Sequence, residues 1–203
     1  MRILAIETAT EACSIALFDQ GQLIDARHEV LGRGHAERLV PMIAELPEKG
    51  HAEQIRISLG PGSFTGVRIG LAVARALGVA WKIPVRGYPT LALVAAMARA
   101  GTDRAVTVCM SGGHGEWFVQ DFGTDGMPLD DVASLTPDTA AMRRTQDVLA
   151  GTRAEDLGTM IGVASAPIIL PNASDALLVP NALLRDQLSP LYGRAPDAKL
   201  PTQ

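Results

Sequence analysis

Apolar positions change period along the chain, and the changes mark its elements. Through Arg2–Ile6, Ala12–Asp19 and Gln22–Val30, apolar and β-branched residues run between turn formers, which predicts an antiparallel meander of strands with a turn at Gln20-Gly21. From His35 to Leu46 the residues Leu39, Val40, Met42, Ile43 and Leu46 recur at helical spacing, and Pro47 with Gly50 closes the run. Pro41 stands inside it as a kink or a first-turn residue. Ile55–Leu59 reads as a short buried strand, Phe64–Trp81 as a long helix, Pro84–Gly87 as a strand and Leu91–Arg99 as a helix. Near Gly101 the pattern restarts in shorter form, with strands at Ala105–Met110 and Glu116–Phe122 and a turn at Thr124-Asp125-Gly126 leading to another. Beyond Asp130 the spacing predicts helices over Pro137–Arg144 and Asn181–Leu188, strands over Ile161–Ala164 and Ala176–Val179, and an irregular or extended tail from Ser189 to Gln203. The order is that of an α/β protein with a first lobe over 1–100 and a smaller second lobe over 101–203, whose tail can return to the first.

The helix over Phe64–Trp81 is apolar around nearly its whole circumference. Gly66, Gly70, Ala74 and Gly78 make a smooth ridge, Val67 and Leu71 a stripe ending in Arg75, and Ile69, Val73 and Leu77 another stripe. Such a helix must be covered on nearly every side. Its own sheet covers one side, and the small ridge would admit a second helix at close range, the His35–Leu46 helix being a plausible neighbour. The remainder is either buried within the subunit or forms an interface with another chain.

Composition narrows the classes. The 203 residues are 47% hydrophobic and 20% charged, which excludes disorder, collagen-like repeats and a small disulfide scaffold. A net charge of −4 disfavours a dedicated nucleic-acid binder, because phosphate neutralisation supplies most of that affinity. Membership of a complex that handles nucleic acid stays compatible with it. Cys13 and Cys109 each lie in an apolar run without a CxxC partner and read as core residues in a reducing compartment. No charged leader precedes the first strand, and the longest apolar tract, Ile69–Trp81, is interrupted by Arg75 and shorter than the ~20 residues of a membrane span. A soluble, cytoplasmic protein is expected.

Two segments carry candidate chemistry. The turn after the first strand contains Glu7, Thr8, Ala9 and Thr10, where ATP-handling proteins of the actin and hexokinase superfamily place an acid for hydrated magnesium and a glycine that lets backbone N–H groups reach phosphate. Here the acid is longer by a methylene and alanine replaces the glycine, so the turn reads as a relic phosphate site or as a plain strand-to-strand turn. Gly60-Pro61-Gly62-Ser63-Phe64-Thr65-Gly66, followed by Val67 and Arg68, combines a stiff turn with Ser63 as a helix cap, and such a corner can be structural or can contact an anion. It is not a Walker loop, since no Gly-Lys-Ser/Thr ending is present, and Ser63 lacks the G-x-S-x-G elbow. His28, His35, His51 and His114 form no HxxxH or HExxH pair, and Glu7, Glu11, Glu37 and Glu116 are scattered, so no metal site or carboxylate pair can be argued from spacing.

These strings resemble the TsaB family, also called YeaZ, of tRNA threonylcarbamoyladenosine biosynthesis. The opening Met1–Ser14, then His35, Leu39, Pro41 and Met42, and above all Gly60 through Gly70, match the family's pattern over the first ninety or so residues. Gly115-Glu116-Trp117-Phe118 and Pro190-Leu191-Tyr192-Gly193-Arg194 are similar to later family segments. Ser111-Gly112-Gly113-His114 departs from the family's Asp-Ala-Arg type of segment. The resemblance implies the two-lobed actin-like (ASKHA, ribonuclease-H-like) fold with a reduced second lobe, and a non-catalytic scaffold that heterodimerises with a TsaD-type transferase. On this reading ATP and metal belong to the partner and none is bound independently, a TsaE-type ATPase joins the complex, tRNA is reached only through the complex, and the free chain can be a homodimer. Carried over by the resemblance, Leu39, Ile43, Val67, Leu71 and Arg75 become partner contacts. The alternative is a small ATP-dependent phosphotransferase using Thr8, Thr10 and the Gly60–Gly66 turn; a metallopeptidase would need ligands that the spacing does not offer.

Overall fold

A computed structural model describes residues 1–164 and 169–193. The expected meander forms from β1 (Arg2–Glu7), β2 (Ala12–Asp19) and β3 (Gln22–Val30). Strands β4 (Gln54–Ser58) and β5 (Val85–Tyr88) extend it in parallel from β1, giving the order β3-β2-β1-β4-β5. Parallel neighbours need crossovers, and α1 (His35–Glu45) and α2 (Phe64–Trp81) supply them on one face of the sheet. Side chains alternate across β1 accordingly: Leu4 and Ile6 join the core with α1 and α2, while Ile3 and Ala5 face the other way.

The other face is covered by α3 (Thr90–Arg99), in which Leu91 through Ala96 are all buried. They are buried because α3 lies between two sheets. Its far side meets Val106, Val108, Met110, Phe118 and Phe122 of a second sheet, built from β6 (Val106–Ser111), β7 (Trp117–Phe122), β8 (Ala133–Leu135) and β9 (Val148–Ala150) in the order β8-β7-β6-β9. The meander is again antiparallel and the added strand parallel, so among the described residues the second sheet repeats the first four strands of the first. Two short helices, α4 (Pro137–Ala141) and α5 (Ala154–Ile161), cover its outer face through a small core around Trp117, Leu149 and Leu157.

After α5 the chain departs from the elements its local pattern predicts. Instead of a strand over Ile161–Ala164, Ile161 ends α5 and Gly162 caps it in the left-handed region, at φ 71°. Ala176–Val179 falls largely within a 3₁₀ turn, Ala173–Leu178, and the helix over Asn181–Leu188 shrinks to a 3₁₀ turn at Asn181–Leu183. The cause is tertiary, since this segment crosses the first sheet and takes its hydrogen-bond partners there. The Ala173 N–H donates to Ser14 Oγ at 2.9 Å, Arg56 donates to the Ala176 carbonyl (3.4 Å) and to Asn181 Oδ1 (3.2 Å), and Gly87 and Arg185 exchange both backbone bonds at 2.8 Å. Further on, the Leu191 N–H donates to the Leu59 carbonyl and Gly193 lies against Phe118 of β7, and the rest of the tail, including Arg194, lies outside the described residues.

Because α3 is enclosed on all sides, Leu93→Ala should destabilise the protein by about 2–5 kcal/mol, seen as a lower denaturant midpoint. An unchanged midpoint would contradict the shared core.

Candidate functional site

β1 ends at Glu7, and the chain turns through Thr8–Glu11 into β2. The Gly60–Gly66 segment lies directly on this turn. The Ser63 N–H donates to the Ala9 carbonyl at 2.6 Å, and Thr8 Oγ1 donates to the Gly66 carbonyl at 2.8 Å. A Cβ on Gly62 would overlap the Ala9 carbonyl, and one on Gly66 the Thr8 carbonyl. Glycine here permits contact between backbones. Ser63 caps α2 by accepting from the Gly66 N–H at 3.2 Å, its own carbonyl accepts from Val67 N–H at 3.0 Å, and Thr10 Oγ1 accepts from the Ala12 N–H at 3.3 Å. The Ser63 and Gly66 N–H groups and both threonine hydroxyls of the turn are therefore engaged within the chain.

Glu7 is fully buried beneath this arrangement, on the α3 side of the sheet. One carboxyl oxygen accepts from the Ala9 N–H at 2.7 Å, and Oε2 has no hydrogen-bond partner. Burial outweighs the Ala9 bond and pushes the carboxyl up to about 7. Nearby, Ser58 Oγ pairs with Thr90 Oγ1 at 2.8 Å, and Tyr88 donates to the Ile6 carbonyl at 2.9 Å. Among the described residues no group of His, Cys, Asp and Glu is placed to hold a metal ion, and His35 sits buried at the start of α1 against the Ala12 carbonyl, 3.2 Å away.

Thr10, Glu11, Gly62, Ser63 and Phe64 form one wall of a cleft of about 420 Å³; Met110, Ser111, Gly112, Gly113 and Thr152 form the other. Ser111–Gly113, from the turn that departs from the family pattern, thus face the signature loop across the cleft. Gly60 and Pro61 are buried, while Thr65 and Arg68 are exposed on the first turns of α2.

The helix contacts expected from the resemblance need correction. Leu39, Ile43, Val67 and Leu71 are buried in the subunit's own core with Leu4, Ile6, Ile55 and Ile57, and they present no surface to a partner. Arg75 is exposed, but its guanidinium donates to the Leu188 carbonyl of the returning segment. The ridge of small residues also has another use: Gly70 lies against Thr8 and Ile57, and Gly78 against Val85, so the ridge seats α2 on the sheet. What faces outward is displaced by a fraction of a turn. Ala36, Val40 and Ala44 of α1 are exposed, as are Ala72, Ala76, Val79 and Ala80 of α2, with Val79 79% exposed. Helical periodicity contained this face, but one sequence does not say which stripe meets the sheet. By length and hydropathy α2 could cross a membrane, yet here one side of it is packed on the first sheet.

Two sheets of related strand order, with a helix enclosed between them, define the two-lobed actin-like (ASKHA) class with a ribonuclease-H-like strand arrangement. Comparison with known proteins narrows the class. The family model of TsaD, tRNA N6-adenosine threonylcarbamoyltransferase, matches residues 27–147. The tRNA threonylcarbamoyladenosine biosynthesis protein TsaB of Escherichia coli is 34% identical over 197 residues, covering 87% of this chain and 84% of that protein. That of Haemophilus influenzae is 37% identical over 103 residues, 48% of this chain and 43% of that protein. Among solved structures, YeaZ from Pseudomonas aeruginosa aligns with a TM-score of 0.79 at 29% identity, covering 94% of this chain and 99% of that one. A protein described as similar to the peptidase YeaZ from the same organism aligns at 0.80 and 28%, covering 95% and 99%. The chain belongs to the TsaB/YeaZ family.

Gly66→Ala, which drives a methyl into the Thr8 carbonyl, should lower the unfolding midpoint more than Ser63→Ala, whose loss of a cap costs about 1 kcal/mol. Equal effects would mean that the close approach carries no constraint. Glu7 ionises near 4.5 in the unfolded chain and near 7 when folded, so its contribution to stability is complete below pH 4.5 and is lost as pH rises through 7. Glu7→Gln should therefore gain on wild type by on the order of 3 kcal/mol between pH 4.5 and 8, read from urea unfolding across that range. Parallel pH profiles would contradict burial as the cause of the raised Glu7 ionisation.

Proposed function

We propose that the chain is a non-catalytic subunit in tRNA threonylcarbamoyladenosine biosynthesis, docking on a TsaD-type transferase through the exposed faces of α1 and α2. The observation that carries this reading is the face itself. Two adjacent helices present alanines and valines to solvent, and α2 carries no acidic residue. Small side chains let a partner's helices approach closely, and burial of Val40 and Val79 would contribute to association. A pair of such helices on a related partner would complete a helix bundle. The curated relatives are named for the pathway, and the family model is that of a threonylcarbamoyltransferase, which supports a related partner.

The turn after β1 supports the non-catalytic half of the reading. A phosphate-binding turn offers N–H groups and space to its ligand, whereas here Gly62 and Gly66 press on the carbonyls of Ala9 and Thr8. ATP and metal are accordingly assigned to the partner.

Ala76→Glu and Val79→Glu place a charge on the exposed face and leave the subunit's core intact. Each should reduce co-purification with the transferase more than tenfold at an unchanged unfolding midpoint, and a modification assay lacking either chain should give no product. Unaltered binding by both variants would refute the docking face, and self-association lost in both would assign the face to a second copy. Magnesium-dependent ATP turnover by the chain alone, abolished by Glu7→Ala, would refute the non-catalytic role.

A further inference from the structure

Beside the helix face, an exposed cluster is assembled from distant parts of the chain. Phe64 is 59% exposed and Tyr192 54%, with ring centroids 6.2 Å apart and planes tilted by 32°. The Arg68 guanidinium carbon lies 3.5 Å from the centroid of the Phe64 ring, and the same group donates to Tyr192 Oη at 3.0 Å. The returning segment holds Tyr192 there, because the Leu191 N–H donates to the Leu59 carbonyl at 2.7 Å and Arg75 holds the Leu188 carbonyl. The arrangement is therefore fixed by the fold, while two large rings stay open to solvent. Hydrophobic burial alone would have placed them inside.

Charge indicates what such a cluster fits. Among the described residues no carboxylate lies within ion-pair distance of Arg68 or of Arg75, two turns further along the same stripe of α2. Positive charge without counter-charge, set beside exposed aromatic and guanidinium planes, is the combination that takes an unpaired base and its phosphate. In a chain of net charge −4 it would supply one contact to an RNA held mainly elsewhere.

We infer that Phe64, Arg68 and Tyr192 form a stacking platform for an unpaired base of the RNA on which the proposed complex acts. This rests on the proposed role in tRNA modification. Arg68 lies in line with Ala72 and Val79 on the exposed side of α2, so the platform continues the docking face at the helix's N-terminal end.

The test uses the complex with the transferase, a full-length tRNA, and the chain as wild type, Tyr192→Phe, and the double variant Phe64→Ala with Tyr192→Ala. Affinity for tRNA and affinity for the transferase are measured separately on each. Loss of stacking should weaken tRNA binding about 5- to 150-fold in the double variant, leave heterodimer affinity unchanged, and spare Tyr192→Phe, which keeps its ring. Ultraviolet crosslinking of wild type to tRNA should map to the peptides containing Phe64 or Tyr192. Unchanged tRNA affinity in the double variant would overturn the platform and leave the pathway role standing. Loss of the heterodimer in that variant would overturn it in favour of a protein contact, such as an acidic peptide. Absence of any tRNA binding by the wild-type complex would overturn the platform together with the proposed role.

Discussion

At Gly62 and Gly66 the backbone entering α2 touches the carbonyls of Ala9 and Thr8, and most of the candidate site follows from that approach. It brings the first turn of α2 onto the end of β1, fixes the helix's rotation through Gly70 and Gly78, and turns Ala72, Ala76 and Val79 away from the sheet. It also engages the Ser63 N–H and the Thr8 hydroxyl, while Thr10 and Glu11 border the open cleft between the lobes. One packing constraint thus creates an outward apolar face.

The second determinant is α3. A helix buried from Leu91 to Ala96 joins the two sheets through one core, to which the returning segment adds Ala173, Ala176, Val179 and Leu184. Among the described residues the second sheet has four strands, with α4 and α5 on its outer face, and it is anchored because its inner face shares α3 with the first lobe. The same return brings Leu188, Leu191 and Tyr192 to α2. A reduced lobe therefore still serves to place a tyrosine beside Phe64 and Arg68.

The acidic balance of the chain is consistent with this division of labour. A protein that bound RNA alone would need a continuous basic surface. Here Arg2, Arg27 and Arg38 are taken up by acids, and the described arginines with no carboxylate partner, among them Arg33, Arg68, Arg75, Arg104 and Arg185, are scattered over several elements rather than gathered into one surface. In the proposed complex the chain would offer a partner a helix face and the RNA a local platform, with the larger share of RNA affinity supplied by the partner.

Local pattern was enough to place β1 to β5 and α1 to α3 within a residue or so, because alternation and helical spacing are properties of contiguous sequence. It also marked Gly60–Gly66 as the distinctive corner and Glu7, Thr8 and Thr10 as an altered phosphate turn. Composition set the limits on charge, and the cysteines proved to be buried core residues. Only the tertiary structure could decide which stripe of α2 meets the sheet, and it put Val67 and Leu71 inside where the resemblance had placed them at an interface. It also overrode local preference after α5, where Asn172–Leu188 takes its hydrogen bonds from Ser14, Arg56 and Gly87 across the molecule. The burial that raises the Glu7 carboxyl, and the meeting of Arg68 with Tyr192, arise between residues far apart in the chain, so no local spacing carries them.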